Sequence, residues 1–258
     1  MGTFYNNANC DIYIGKSAGK KLLDEILNAK KTIKIISPYL SPFLVKKLIF
    51  LHAKNVNINL VTTDTIEDFY GTYEKNIHKL INQHKILDKE AEKVRNKWIT
   101  VAKILLYSII GLILVLLLIA YFYTEIKLLY GIIPILILTL IRNFYKNKIR
   151  NKRIFNYHYS QLFPFKVFIS PEKNAHTQKI NTFIHGKIYI IDDEIVYMGS
   201  LNFTESGTKN NYETRIRTID KNAVIKIIDE FDELFYNSGL DERDIQYWGS
   251  QLYEEPIN

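Results

Sequence analysis

The sequence predicts an α/β fold interrupted by a two-helix apolar insertion. Three observations carry this reading. Strand-like and helix-like segments alternate through the first hundred residues. A long uncharged stretch then follows, from Ile104 to Tyr123. After it, further strand-like segments end in a well-patterned helix. A chain of 258 residues has room for one domain or two small ones. With 47% hydrophobic and 24% charged residues it is not a disordered chain. A single cysteine, Cys10, excludes an intramolecular disulfide framework and a multi-cysteine metal site.

The N-terminal elements follow from local pattern. Residues 11–15 alternate as a short strand. Residues 17–30 place Leu22, Leu23, Ile26 and Leu27 on one helical face. Thr32 to Ser37 is a β-branched run that stops at Pro38. Ser41-Pro42 reads as an N-cap with proline in the first turn of a helix reaching about Lys54. Val56 to Thr62 reads as the next strand. The order strand, helix, strand, helix, strand predicts parallel pairing in an α/β layer. Residues 72–97 read as a long polar helix running on into the apolar segment, with an intermittent stripe of Ile77, Leu80, Ile81, Ile86 and Leu87.

The twenty residues from Ile104 to Tyr123 would reach about 30 Å as a helix, one hydrocarbon core. A second run, Leu128 to Ile141, would reach only about 21 Å and contains Pro134, which would kink a membrane helix. Lys127 and Arg142 could snorkel, with Phe144 and Tyr145 at the interface. A buried core hairpin, or one span followed by a re-entrant segment, are the competing readings. Basic residues flank the insertion, with Lys85, Lys89, Lys93, Arg95 and Lys97 before it and Arg142, Lys146, Lys148, Arg150, Lys152 and Arg153 after it. The positive-inside rule puts both flanks and both termini in the cytoplasm. The start of the chain shows neither a secretory signal pattern nor a complete myristoylation pattern. The expected division is residues 1–97, a hairpin over 98–145, and residues 146–258.

Beyond the insertion, strands are expected at 164–170, 182–191, 194–200 and 212–218. A helix is expected at 221–237, where Val224, Ile227, Ile228, Phe231, Leu234 and Phe235 keep helical spacing. The last twenty residues show no clear period.

The chemistry concentrates in His185-Gly186-Lys187-Ile188-Tyr189-Ile190-Ile191-Asp192 and Gly199-Ser200-Leu201-Asn202. On a strand, His185 and Lys187 would project side by side. An imidazole can attack phosphorus or shuttle a proton, and an ammonium balances charge on phosphoryl oxygens. Gly199 permits close approach, and Ser200 and Asn202 offer hydroxyl and amide donors. Glu213 lies downstream, where a carboxylate could orient an imidazole. Other histidines show no metal-ligand spacing, and Gly15 to Lys20 lacks the glycine spacing of a phosphate loop.

His-x-Lys-x4-Asp followed, after six intervening residues, by Gly-Ser-x-Asn resembles the phospholipase D superfamily signature, with His185, Lys187, Asp192, Gly199, Ser200 and Asn202 at its defining positions. The resemblance covers residues 10–65 and 160–237. It implies a mixed sheet flanked by helices, here interrupted by the hairpin. It implies His185 as nucleophile through a phosphohistidine, with Lys187 and Asn202 holding phosphoryl oxygens and Ser200 assisting. It implies a structural hydrogen-bonding role for Asp192, an orienting role for Glu213, and no metal or cofactor. One motif per chain implies a homodimer, in which a second copy's His185 supplies the other proton transfer. Because the family's two halves share one sheet, the insertion is expected to cross the membrane an even number of times. A membrane-anchored phosphodiesterase acting on phospholipid is the leading expectation, and a tethered endonuclease acting on DNA or RNA is the alternative. The charge of +7, from 34 Lys and Arg against 27 Asp and Glu, favours anionic partners of either kind, although it also serves solubility. A non-catalytic phosphate-binding adaptor is disfavoured by the intact His185 and Lys187.

Overall fold

Six strand pairings, four antiparallel and two parallel, join segments from both ends of the chain into one sheet. The computed structural model describes residues 4–64, 80–122, 130–171 and 182–258. The elements in chain order are β1 (Cys10–Lys16), α1 (Lys20–Leu27), β2 (Thr32–Ile36), α2 (Pro42–His52), β3 (Asn57–Thr63) and β4 (Ile81–Leu87). Then come the long helices α3 (Lys89–Phe122) and α4 (Ile132–Asn151), followed by β5 (Phe155–Gln161) and β6 (Phe165–Phe168). The chain closes with β7 (Ile188–Ile191), β8 (Ile195–Gly199), α5 (Glu205–Lys209), β9 (Tyr212–Thr218), α6 (Lys221–Asn237) and α7 (Ile245–Leu252).

The chain separates into two units, residues 1–83 with 159–253, and residues 84–158 with 254–258. The first unit holds a seven-stranded sheet in the order β1-β9-β8-β7-β2-β3-β6. β2, β3 and β6 run parallel, as the βαβ pattern predicts, while β7 joins β2 antiparallel and starts an antiparallel half. The sheet is therefore mixed. Alternation sorts the side chains: Ile33 and Ile35 face one way, and Lys34 and Ile36 the other. On the second face Ile36, Val61, Ile190 and Val196 pack with Val224, Phe231 and Phe235 of α6. Lys34 reaches Asp232 of α6 at 3.1 Å. Ser41 stands at the N-cap of α2 with Pro42 in the first turn, as its sequence predicts. Asp220 caps α6 by accepting from Asn222 N and Ala223 N.

The expected helix over 72–97 needs correction. Residues 72–79 lie outside the described residues, but 81–87 form strand β4, which pairs with β5. Leu162 N donates to Leu80 O at one end of this ribbon and Asp88 N to Ile154 O at the other, so the strands run antiparallel. The helix begins only after Asp88, whose carboxylate accepts from Glu90 N and Ala91 N. An N-cap at this position sets the boundary. The strand β5 was missed, although Phe155, Tyr157 and Tyr159 alternate, as was α7, which Asp244 caps and Ile245, Trp248 and Leu252 pattern.

The second unit is built on α3 and α4. Polar first turns pass without a break into the apolar segment of α3, whose 34 residues make about 51 Å of helix. Arg95 Nε donates to Ile149 O, and Gly131 sits against Leu116, so the two helices lie antiparallel and in contact. Among the described residues one helix, α3, is long and apolar enough to cross a membrane, and almost none of its apolar window is buried. The second apolar run begins outside the described residues, and the part of it in α4, Ile132 to Ile141, makes about 15 Å of helix. Pro134 falls in the first turn of α4, where its missing N–H costs no hydrogen bond. The expected proline kink is therefore not needed.

Asp192 shows how the two halves of the sheet are tied. Asp192 and Asp193, with φ of 54° and 56°, make the tight turn from β7 to β8. The Asp192 carboxylate accepts from Lys30 N, Lys31 N and Thr32 N at 2.6–3.0 Å, and its own N–H donates to Thr32 O. Burial pushes this carboxyl up, but the three amides and the Lys31 ammonium outweigh burial and hold its pKa below the ordinary value. A depressed carboxyl contributes stability above its unfolded pKa and loses it as pH falls through the folded value. Asp192→Asn keeps a residue suited to positive φ but removes the charge. It should cost about 1–3 kcal/mol near neutral pH in denaturant unfolding. The gap from the native protein should close in acid; an equal gap at every pH would show that charge does not carry the tie.

Candidate active site

The site forms where β2 runs out of partners. Ile36 pairs with Ile188, but Ser37 N turns to Val61 O and Pro38 offers no donor. Residues 182–187, expected as the start of a strand, lie outside the sheet, and β7 begins at Ile188. This unpaired segment carries His185 and Lys187. They do meet as the alternation predicts. Lys187 Nζ lies 3.1 Å from His185 Nδ1 and 3.0 Å from Nε2, and donates to His185 O at 2.8 Å. His185 is exposed, with Phe183 tilted against its ring at 5.7 Å, while Lys187 is buried beneath it.

Opposite this pair lies the turn from β8 to α5. A Cβ at Gly199 would collide with Thr214 O, so only glycine lets β8 and β9 close here. The approach allows Ser200 N to donate to Thr214 O and Thr214 N to donate to Ser200 Oγ at 3.0 Å. The Ser200 hydroxyl donates in turn to Glu213 Oε2, and Asn211 Nδ2 donates to Oε1 at 3.2 Å. Glu213 is buried, and its hydrogen bonds go to Ser200 and Asn211 rather than to His185. Its charge is felt at Lys187. Burial lowers the Lys187 pKa from the ordinary 10.5, and the Glu213 carboxylate opposes that shift.

Asn202 follows in a loop pinned from two sides. Tyr189 OH donates to Leu201 O at 2.6 Å, and Ser37 Oγ accepts from Phe203 N at 2.9 Å. Asn202 Oδ1 is buried with no hydrogen-bond partner among the described residues. Ser37, Tyr189, Asn211 and Thr214 were not singled out from sequence. Ser37 carried the one available signal, a small polar residue closing an apolar strand before proline. Asp192, named with the motif residues and given a structural hydrogen-bonding role by the resemblance, stands at the far end of β7, five residues or about 16 Å of strand beyond Lys187, holding the β2 entry. Ser200 and Asn202 belong to a turn, not to a strand face.

The result is an exposed imidazole over a buried ammonium, which feels a carboxylate held by Ser200 and Asn211. Such a set suits attack on a phosphodiester, with the lysine countering phosphoryl charge. Among the described residues, no three His, Cys, Asp or Glu side chains cluster as metal ligands.

Residues 141–235 match the family profile described as "Cardiolipin synthase, PLD-like domain". That span includes the whole constellation from His185 to Glu213. Among curated proteins, none matches the chain. Solved structures with a similar course include NucT from Helicobacter pylori, at 11% identity and TM-score 0.48, covering 92% of this chain and 100% of that one. Nuc from Salmonella typhimurium, a phospholipase D family member, matches at 13% identity and TM-score 0.42 over 91% and 99% of the chains. The phosphatidylserine synthase of Haemophilus influenzae Rd KW20 matches at 12% identity and TM-score 0.43, over 96% of this chain and 42% of that one.

The Lys187–Glu213 coupling has a measurable sign. Glu213→Gln removes the charge that raises the Lys187 pKa. The alkaline limb of kcat/KM on a small soluble phosphodiester, already below 10.5, should move to lower pH. A limb that stays in place would show that Glu213 does not set the charge on Lys187.

Proposed function

We propose that the chain is a membrane-anchored phosphodiesterase of the phospholipase D type that hydrolyses phospholipid. One observation carries the chemistry: Lys187 Nζ lies within 3.1 Å of both ring nitrogens of an exposed His185. In this reading His185 attacks phosphorus, forming a P–N bond as the P–O bond to the departing alcohol breaks. The alkoxide leaves with a proton from a second copy's His185. That second histidine then takes a proton from water, whose oxygen displaces His185 and releases the phosphate monoester. Lys187 and Asn202 hold the phosphoryl oxygens, and Ser200 keeps Glu213 in place beneath them. Asp192 takes no part beyond folding.

One motif per chain supports a homodimer, because the second histidine has to come from another copy. An isologous pairing would bring two exposed His185 rings together at the two-fold axis. The exposed apolar surface of α3 supports anchoring in a bilayer and so favours lipid as substrate. The sheet takes strands from both sides of the α3–α4 excursion. If α3 crosses the bilayer, α4 and its neighbours must bring the chain back, which supports a two-span reading with both termini on the cytoplasmic side.

The test uses full-length protein in detergent and in vesicles, with chelator present and His185→Ala alongside. Phosphatidic acid should be released by the native protein, and His185→Ala should lower the rate by about 10²–10⁴-fold. Cleavage of DNA or RNA with lipid untouched would instead make it a tethered nuclease, and no activity on either would overturn the phosphodiesterase reading. Mixing native protein with increasing His185→Ala should reduce activity more steeply than simple dilution, because mixed dimers lack one histidine. A linear decline would contradict the shared site.

A further inference from the structure

Helix α2 buries Leu44, Val45, Leu48 and Leu51. Its opposite face carries Phe43, Lys46 and Phe50, spaced three to four residues apart as a single exposed stripe, and the exposed Lys54 follows in the turn after the helix. Phe43 and Phe50 are 45% and 55% exposed, on a helix that has ample buried positions for aromatics. Single exposed apolar residues are ordinary, but here each ring carries a cation. Lys47 Nζ lies 4.7 Å from the Phe43 centroid, Lys54 Nζ 4.2 Å from Phe50, and Lys209 of α5 joins Phe43 at 5.2 Å. The chain has no acidic residue between Glu25 and Asp64, so nothing on α2 opposes this charge. Lys209 is itself paired with Glu205 of α5.

We propose that the exposed face of α2 docks the catalytic unit onto the surface of an anionic bilayer. Phenylalanines can dip into the boundary between head groups and acyl chains while lysines extend back to lipid phosphates. Net positive charge without acids complements an anionic leaflet and repels a second copy of the same face. Stacked nucleic-acid bases fit less well. The two rings stand seven residues apart, about 10 Å along the helix, and a lysine already covers each ring face. The chain's own α3 would hold the unit within reach of a bilayer. Docking here also bears on the site. The entry to α2 is tied to the Asn202 loop, through Ser41 N donating to Phe203 O at 3.0 Å and the Leu40–Phe203 bridge. The inference adds an orientation to the phospholipid reading and rests on it only for its purpose.

The test places full-length Cys10→Ser protein in lipid nanodiscs with a nitroxide at Ala53→Cys, beside the stripe. Accessibility to an aqueous nickel chelate is compared in phosphatidylcholine discs and in discs enriched in phosphatidylglycerol. Anionic discs should cut accessibility several-fold. Lys46→Gln with Lys54→Gln should abolish that protection, and Phe43→Ser with Phe50→Ser should weaken it. A label at Asn237→Cys on α6 should not respond. Equal accessibility in both lipids overturns the proposal. So does protection that appears only with added single-stranded DNA, or that depends on protein concentration. The readout needs no turnover, so docking without phospholipid cleavage would overturn the substrate reading while leaving the docking face intact.

Discussion

The antiparallel seam between β2 and β7 is the constraint on which the rest of the molecule depends. Ile33 to Ile36 pair with Ile191 to Ile188, joining residues separated by about 150 positions of chain. Between them β3 and β6 join the same sheet, and both long helices belong to an excursion that leaves after β3 and returns before β6. The Asp192 carboxylate locks one end of the seam by taking three successive amides of the β2 entry. At the other end β2 stops at Ser37-Pro38, and the unpaired partner segment becomes the bearer of His185 and Lys187. A fold device and a reactive site thus occupy opposite ends of one short strand.

The placement also explains the electrostatics. Lys187 is buried where an ammonium is disfavoured, and the nearby Glu213 carboxylate compensates in part. Glu213 is itself kept in place by Ser200 and Asn211, and Ser200 is kept by the β8–β9 approach that Gly199 allows. The chain of dependence runs from a glycine without a Cβ to the charge on Lys187. Tyr189 contributes from inside the sheet, its phenol pushed up by burial and committed as a donor to Leu201 O.

Much of this was legible in residue order. The β-branched run before Pro38, the Ser41-Pro42 start and the 221–237 periodicity all correspond to observed elements, because each rests on local sterics or a single amphipathic face. The motif spacing also pointed to His185 and Lys187 as neighbours. What sequence could not convey was dependence on distant partners. Residues 182–187 have strand-like composition but no neighbour to pair with, because β2 ends first. Asp192 sits in the same motif as His185, and its structural hydrogen-bonding role was expected, but its three partners are backbone amides some 160 positions earlier, which the motif does not name. The β4 segment looked helical because its few apolar residues fit either period, and the Asp88 cap that marks the true boundary was overlooked.

The seam makes a topological demand that can be measured directly. Cys10 is the sole cysteine, is exposed, and lies in β1 before the excursion. Tyr236, exposed on α6, lies after it. A membrane-impermeant maleimide would be applied to sealed vesicles of known orientation, once with the native Cys10 and once with Tyr236→Cys in a Cys10→Ser background. Both positions should react from the same face of the membrane, since both belong to one sheet-centred unit. Reaction from opposite faces would contradict the account, because no sheet can be shared across a bilayer.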